Sequence, residues 1–365
     1  MRTNQKYDYL IVGAGLFGST LAHDLAKNNK RIILVEARDH VGGQIYTEEQ
    51  NQIHMHKYGP HIFYTSNKDV WQFVNNLVDF IPFINSPIAI INGKVYNLPF
   101  NMHTFHQLWG VITPAEAQIE ITKKTNKNNG DSLESHAISM VGKEIYEMFI
   151  KEYTEKQWGK SCKHLPKSII SRIPLRFTYN NNYYNHIYQG IPKGGYTKLI
   201  TQLLHGCPVI LETDYVKNQD QFKNIADNTI YTGRVDHFHD YRLGELEYRG
   251  VVFKEKWYQT HMYQGNPVIN YPLLDVPYTR SIEHKLFDAY CRNTETTVVS
   301  YEYPVTPENY LQAYYPINDA KNMQLYQEYL KMPTNVMFGG RLGSYQYWNM
   351  DETIVAARKL ARRLL

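Results

Sequence analysis

Gly13-Ala14-Gly15-Leu16-Phe17-Gly18 lies between a short apolar run and a helical pattern, and Glu36 closes the next apolar run. That arrangement can hold a dinucleotide. The glycines let the backbone turn tightly and approach a pyrophosphate at a helix N-terminus, where unpaired N–H groups point outward. A carboxylate at the end of the second strand accepts hydrogen bonds from ribose hydroxyls. Gly13, Gly15, Phe17, Gly18 and Glu36 are the candidate contacts, and a glycine turn without a ligand would not need the acid. A second set, Phe149, Tyr153, Gln157 and Trp158, falls at spacings of four, four and one, which predicts one helix face ending in Trp158. Such a face can form a flat apolar slot, although periodicity alone also fits a core stripe. The fifteen histidines show no HExxH-like spacing, so no metal site is expected.

The elements that must position these residues follow from the pattern. YDYLIV at 7–12 and RIILVE at 31–36 read as buried parallel strands around a helix over 16–29, a βαβ unit. A helix is predicted over 67–79 with Asn67 as its N-cap, and a hairpin over 88–98 turning at Asn92-Gly93. Residues 101–160 are helical in pattern, except for the exposed polar run from Lys123 to Asp131. Residues 175–305 read as short β segments, with a helix at 194–205. The C-terminal stretch reads strand, glycine-rich loop and then a helix over 351–364.

Composition bounds the possibilities. A chain of 365 residues suggests about two domains, or one with large insertions. The 43% hydrophobic and 20% charged fractions fit a globular protein with a real core. The net charge of +4 is small and the Lys and Arg are scattered, which argues against nucleic-acid binding. No stretch approaches the ~20 apolar residues of a spanning helix, and no signal-peptide run is evident, so no membrane insertion is expected. Cys162, Cys207 and Cys291 make no CxxC pair, which points to a reducing cytoplasm. The 31 tyrosines are unusual, and supply rings that stack and hydroxyls that bond phosphates.

Beyond Glu36, Ala37-Arg38-Asp39-His40-Val41-Gly42-Gly43 adds a second glycine pair, which resembles FAD enzymes of the glutathione-reductase and amine-oxidase type. Gly339-Gly340-Arg341 ahead of the last helix would place a helix N-terminus at the flavin pyrimidine. From His56-Lys57-Tyr58-Gly59-Pro60-His61 onward the chain closely resembles one family, the bacterial UDP-galactopyranose mutases. The likeness runs through Asn97-Leu98-Pro99-Phe100-Asn101-Met102, Tyr153-Thr154-Glu155-Lys156-Gln157-Trp158-Gly159 and Arg172-Ile173-Pro174. It continues through Val276-Pro277-Tyr278-Thr279-Arg280, Tyr314-Tyr315-Pro316 and Gly340-Arg341-Leu342.

The resemblance implies an α/β fold: a discontinuous Rossmann-like FAD-binding domain with a helical-bundle domain and an antiparallel β-sheet domain. The expected boundaries are 1–80, 194–240 and 334–365 for the first, 100–165 for the second, and 81–99, 166–193 and 241–333 for the third. It also implies reduced FAD, whose N5 attacks the anomeric carbon of UDP-galactopyranose. UDP leaves, the sugar ring opens, and it recloses as a furanose with no net redox change. Expected partners are a UDP-sugar and a second copy of the chain, and the product would serve cell-surface glycan biosynthesis.

Residue by residue, the resemblance makes Arg172 and Arg280 the diphosphate arginines, whose charge balances the leaving group. With His61 beside the flavin they form the catalytic set. The substrate set adds Phe149, Tyr153, Gln157, Trp158, Tyr183, Asn270, Glu302, Tyr315 and Tyr347. Tyr153 stacks on uracil; Tyr183, Tyr315 and Tyr347 donate to phosphates. Trp158 begins a lid over 159–166, hinged at Gly159, whose polar run is expected not to pack deeply. The cofactor set is Gly13, Gly15, Phe17, Gly18, Glu36, Ala37, Arg38, Gly43, Gln44, His61, Arg341, Tyr347, Asn349 and Met350. Three residues depart from the family pattern: Tyr64 replaces a histidine, Gln44 an asparagine and Asn349 an aspartate. All three are expected near flavin or sugar, which opens the case for a related N-acetylated, 6-deoxy or heptose substrate. The main rival is an ordinary FAD oxidoreductase, which needs no diphosphate clamp.

Overall fold

Tyr7–Val12 and Ile32–Val35 are nearly all apolar, and such runs are stable only when both faces are covered. In the computed structural model, which describes residues 6–125, 130–170, 175–288 and 293–365, they form the centre of a five-stranded parallel sheet. Its order is Val209–Ile210, Ile32–Val35, Tyr7–Val12, Ala226–Tyr231 and Val336–Phe338. Strands from distant parts of the chain build it, so the Rossmann-like layer is discontinuous, as expected. Helix Leu16–Ala26 joins the first two strands in sequence, and the C-terminal helix Met350–Leu364 packs on it through Leu21, Leu25, Ile354 and Ala357. The helix sits so close to the first strand that a Cβ on Gly18 would lie 2.0 Å from the Gly13 carbonyl oxygen.

The second layer is a seven-stranded sheet. Its order is Tyr315–Pro316, Tyr248–Tyr258, Thr297–Val305, Arg280–Glu283, Val268–Asn270, Ile88–Ile91 and Lys94–Asn97. The antiparallel expectation needs one correction, because Val268–Asn270 and Ile88–Ile91 run parallel. The chain returns to this edge after a long excursion rather than through a hairpin, and only such a connection permits a parallel pair. The Ile88–Ile91 and Lys94–Asn97 hairpin does turn at Asn92 and Gly93, with φ of 49° and 73°. Asn67 caps the helix Lys68–Asn75, accepting from the N–H groups of Asp69 and Val70.

The third unit is helical: Met102–Trp109, Pro114–Lys124, Leu133–Ile145 and Glu152–Trp158, closed around Phe105, Ile121, Val141 and Ile145. Between its last two helices Tyr146–Lys151 is a π-helix. The wider i→i+5 turn breaks the 3.6-residue face expected from Phe149 to Trp158. Phe149 therefore turns into the core at 6% exposure, with its ring against Tyr96 and Phe100. The expectation that the 159–166 run does not pack deeply needs correction. Cys162 and Leu165 are 0% and 2% exposed, and the Cys162 N–H donates to Glu155 Oε1 at 3.0 Å. Lys160 pairs with Glu247 and Asp319. Two apolar residues within the polar run anchor the segment against the helical core.

Arg172 and Cys291 lie outside the described residues, as does part of the Lys123 to Asp131 run. Among the described residues Cys162 and Cys207 are free thiols, no helix is long and apolar enough to cross a membrane, and no cluster could hold a metal ion. Gly18→Ala should lower stability by about 2 kcal/mol or more, because the added methyl meets backbone that cannot swing aside. An unchanged thermal midpoint would contradict the close helix–strand approach.

Candidate active site

The glycine fingerprint folds into a tight turn with no space for a side chain at Gly13 or Gly18. Gly13 has φ +104°, and a Cβ there would fall 2.0 Å from Thr232 Oγ1. Thr232 is itself fixed, donating to the Val12 carbonyl at 2.7 Å. The two glycine motifs meet: a Cβ on Gly43 would lie 3.1 Å from Gly15 Cα, and the Gly42 N–H donates to the Ala14 carbonyl at 2.8 Å. Gly15 caps the helix without a side-chain bond. Beside this turn opens a cleft lined by both glycine motifs. Gly13, Gly15, Phe17, Gly18, Glu36, Ala37, Arg38, Gly43, Gln44, Arg341 and Met350, all named above as candidate cofactor contacts, line it. Thr213, Asp214, Tyr310 and Ala313 line it too, and no local motif marks them.

Glu36 does more than the sequence suggests. Its carboxylate is 4% exposed and accepts from the Ala14 and Arg38 N–H groups at 2.9 and 3.0 Å. It braces the glycine turn, and each oxygen keeps a further lone pair for a ribose hydroxyl. Gln44 takes up the departure from the family pattern. It accepts from Arg341 Nη1 at 3.0 Å and donates to the Ala313 carbonyl at 3.1 Å. Arg341 also donates to the Trp348 carbonyl at 2.6 Å, and its guanidinium lies over the Tyr347 and Tyr315 rings. Asn349 caps the last helix, its N–H donating to Glu352 Oε2 at 2.7 Å. A pocket of glycine backbone, a ribose-facing carboxylate and an open helix N-terminus fits a dinucleotide.

The seven-stranded sheet places a cation nearby. Strand register sets Asn270, Arg280, Glu302 and Phe253 in one cross-strand row, so their side chains share a face. Glu302 is 1% exposed. Arg280 Nε donates to its two oxygens at 3.0 and 3.1 Å, Arg280 Nη2 adds another bond, and Thr279 Oγ1 donates at 2.9 Å. Burial alone would weaken the Arg280 cation, but Glu302 beside it holds its pKa well above the ordinary value. Arg280 keeps 24% of its side chain accessible. Asn270 donates one amide N–H to the Ile88 carbonyl at 3.2 Å.

Hydroxyls surround this cation. Tyr153, Tyr183, Tyr184 and Tyr315 all feel the Arg280 charge, yet burial raises each phenol, so all stay neutral O–H donors. The Tyr315 ring lies 5.2 Å from Tyr347 and 6.3 Å from Trp158. Gln157 Oε1 is buried with no partner among the described residues, a costly state unless a ligand donates to it. His61 Nδ1 is likewise buried and unpartnered. Burial, with Arg341 and Arg280 nearby, pushes the His61 imidazole down to about 3, so it is neutral. His61 is within reach of both arginine charges and so links the dinucleotide cleft to the Arg280 cluster.

Sequence reasoning missed two parts of this site. Tyr184 joins the cluster, and Tyr64 stacks on it at 3.9 Å and 23°. Only the neighbouring Tyr183 could have flagged Tyr184. Arg249 braces the supposed hinge: it donates to the Gln157 carbonyl at 2.9 Å and to Thr306 Oγ1 at 3.1 Å. A Cβ on Gly159 would lie 2.9 Å from Arg249 Nη1, so the glycine there serves close packing as well as its φ of +64°.

Comparison with known proteins agrees with this geometry. Residues 148–347 match the family model of UDP-galactopyranose mutase, and residues 11–77 match that of an NAD(P)-binding Rossmann-like domain. A Klebsiella pneumoniae protein named "Probable UDP-galactopyranose mutase" is 39% identical over 98% of this chain and 94% of its own length. A dTDP-fucopyranose mutase of Escherichia coli is 36% identical over 97% of both chains. A crystal structure of reduced UDP-galactopyranose mutase superposes with a TM-score of 0.78 at 12% identity, over 99% of this chain and 94% of that one. A putrescine oxidase shares the fold at a TM-score of 0.62 and 12% identity, over 98% of each chain.

His56, His61 and His284 are all kept neutral, chiefly by burial. The unfolded chain takes up their protons near pH 6.5, whereas the folded chain resists until far lower. Stability is therefore intact above pH 6.5 and falls below it, by roughly 1.4 kcal/mol per pH unit for each ring. The thermal midpoint should drop steeply between about pH 6.5 and 4.5. A flat profile there would mean that these rings are accessible to protons in the folded state.

Proposed function

The chain belongs to the UDP-galactopyranose mutase family, and from that premise we propose that it interconverts the pyranose and furanose forms of a UDP-sugar, UDP-galactose first, using reduced FAD. The observation that carries this reading is Arg280, a cation locked by buried Glu302, ringed by neutral tyrosine hydroxyls and linked through His61 to a dinucleotide cleft. When bound, reduced flavin supplies a nucleophilic nitrogen for the anomeric carbon. The protein does the rest. Gly13, Gly15, Glu36 and Arg38 hold the nucleotide portion, and Gln44, Arg341, Asn349 and Met350 hold the ring portion. Tyr153, Gln157 and Trp158 take the uracil, with Gln157 Oε1 accepting from its N–H. Arg280, with Tyr183, Tyr315 and Tyr347, meets the negative charge that grows on the departing diphosphate; Arg172 is proposed to share that role. His61, neutral and unpartnered at Nδ1, offers a hydrogen bond toward the flavin without competing for negative charge.

The fold is shared with amine oxidases, but an oxidase has no use for a guanidinium fixed among phosphate-bonding hydroxyls. The reading extends to a cytoplasmic homodimer whose product serves cell-surface glycan synthesis. A second reading, favoured by one observation, concerns the sugar. Tyr64 stacks on Tyr184 where the family pattern has a histidine, putting a larger ring where an imidazole would sit. That suits a 6-deoxy sugar, and a relative at 36% identity is named a dTDP-fucopyranose mutase.

With UDP-galactose, turnover to the furanose should require dithionite-reduced enzyme; activity confined to oxidised enzyme would favour the oxidase. Arg280→Ala should lower kcat by about 100-fold or more, near 3 kcal/mol, and normal turnover would defeat its assignment. Tyr64→His should shift the kcat/KM preference by about tenfold toward 6-hydroxylated sugars. An unchanged ratio would remove Tyr64 from specificity.

A further inference from the structure

The helix Glu152–Trp158 carries two working faces. Tyr153 and Gln157, four residues apart, share one face, and Tyr153 feels the Arg280 charge. Glu152 and Lys156, also four apart, meet the loop 271–279 between the strands Val268–Asn270 and Arg280–Glu283. The Lys156 ammonium donates to the backbone carbonyls of Tyr271, Leu273, Val276 and Tyr278 at 2.8, 2.8, 2.8 and 3.1 Å. Three protons shared among four oxygens make the cation the centre of a backbone cage. Glu152 Oε2 accepts from the Leu274 N–H at 2.7 Å on the same loop. The loop closes on itself where the Tyr271 N–H donates to the Thr279 carbonyl, and the Thr279 N–H donates to the Glu302 carbonyl, both at 2.9 Å. Its next residue is Arg280.

We infer that Lys156 is a positioning residue that ties the base-holding helix to the loop leading into Arg280, and so sets the span between the uracil slot and the diphosphate cation. This rests on the reading of those two features as halves of one UDP site. A lysine serving stability alone would leave that span, once the protein is folded, unchanged. The groups facing the ammonium are Glu152 on its own helix, Asp275 on the loop, and the Tyr271 and Tyr278 rings. Burial lowers the ammonium to about 8, against the opposing pull of Asp275 and Glu152, while burial raises the Tyr278 phenol to about 12. At neutral pH the cage therefore holds a cation, and alkali removes it.

The test is the ratio of UDP to uridine affinity, measured by calorimetry on the flavin-loaded enzyme. UDP must span both halves, whereas uridine needs only the slot. Lys156→Met should weaken UDP about tenfold and uridine less than twofold. Lys156→Arg should not restore UDP, because a planar guanidinium cannot satisfy four converging carbonyls. The wild-type ratio should also fall as pH rises from about 7 to 9, a readout that stands if the methionine variant fails to fold. Equal losses for both ligands, or a ratio unmoved by variant and pH, would overturn the proposal. Failure of the wild type to bind UDP at neutral pH would instead overturn the underlying reading of the site, and the proposal with it.

Discussion

A guanidinium pinned to a fully buried carboxylate near the middle of a sheet is the constraint that organises this molecule. Such pairs seldom add net stability, since desolvation offsets most of the Coulomb attraction. Removing either partner, however, strands a buried charge and costs about 3–5 kcal/mol. The Arg280 and Glu302 pair therefore fixes a cation in space rather than strengthening the fold. Thr279 fills another of the carboxylate's bonding positions, so Glu302 is committed to orienting the arginine. What remains accessible on Arg280 faces neighbours that can donate hydrogen bonds but not charge, because burial keeps the surrounding phenols protonated. A di-anionic group is the ligand such a surround favours.

The rest of the architecture brings that cation to the glycine-lined cleft and keeps the span fixed. Close approaches at Gly13 and Gly18 leave no room for a Cβ, and a tight one at Gly43 brings the second glycine motif against the first. Glu36 binds the turn it follows, so one carboxylate both builds the cleft and presents itself to it. Gln44 and Arg341 reach across from opposite ends of the sequence. Arg249 holds the end of the helix that carries Trp158, and Lys156 holds the opposite flank. Cations thus fix the site from several sides, each through backbone carbonyls or a buried acid.

Local features were the legible ones. The βαβ unit, its glycines and Glu36 lie within about 30 residues, and the physics that makes them recognisable is short-range. The Asn92-Gly93 hairpin and the Asn67 cap are local in the same way. The single helical face expected from Phe149 to Trp158 is interrupted because a π-turn changes the helical period, and only tertiary packing decides where one forms. The 159–166 segment packs more deeply than its polar composition suggests because two apolar residues, Cys162 and Leu165, are buried. The parallel strand pair, the Arg249 brace and the Lys156 cage were invisible for a further reason. Their partners are strand registers and backbone carbonyls, which every residue possesses and which leave no mark in the sequence. Family likeness named Arg280 and Glu302 singly, but their pairing was not legible, since cross-strand register is set by the fold.

The most direct measurement is a crystal structure of the reduced protein with UDP bound. The account predicts a β-phosphate oxygen within about 3 Å of the Arg280 guanidinium, with uracil against Tyr153 and its N–H on Gln157. A complex in which UDP lies elsewhere, or in which the Arg280 guanidinium points away from both phosphates, would contradict it.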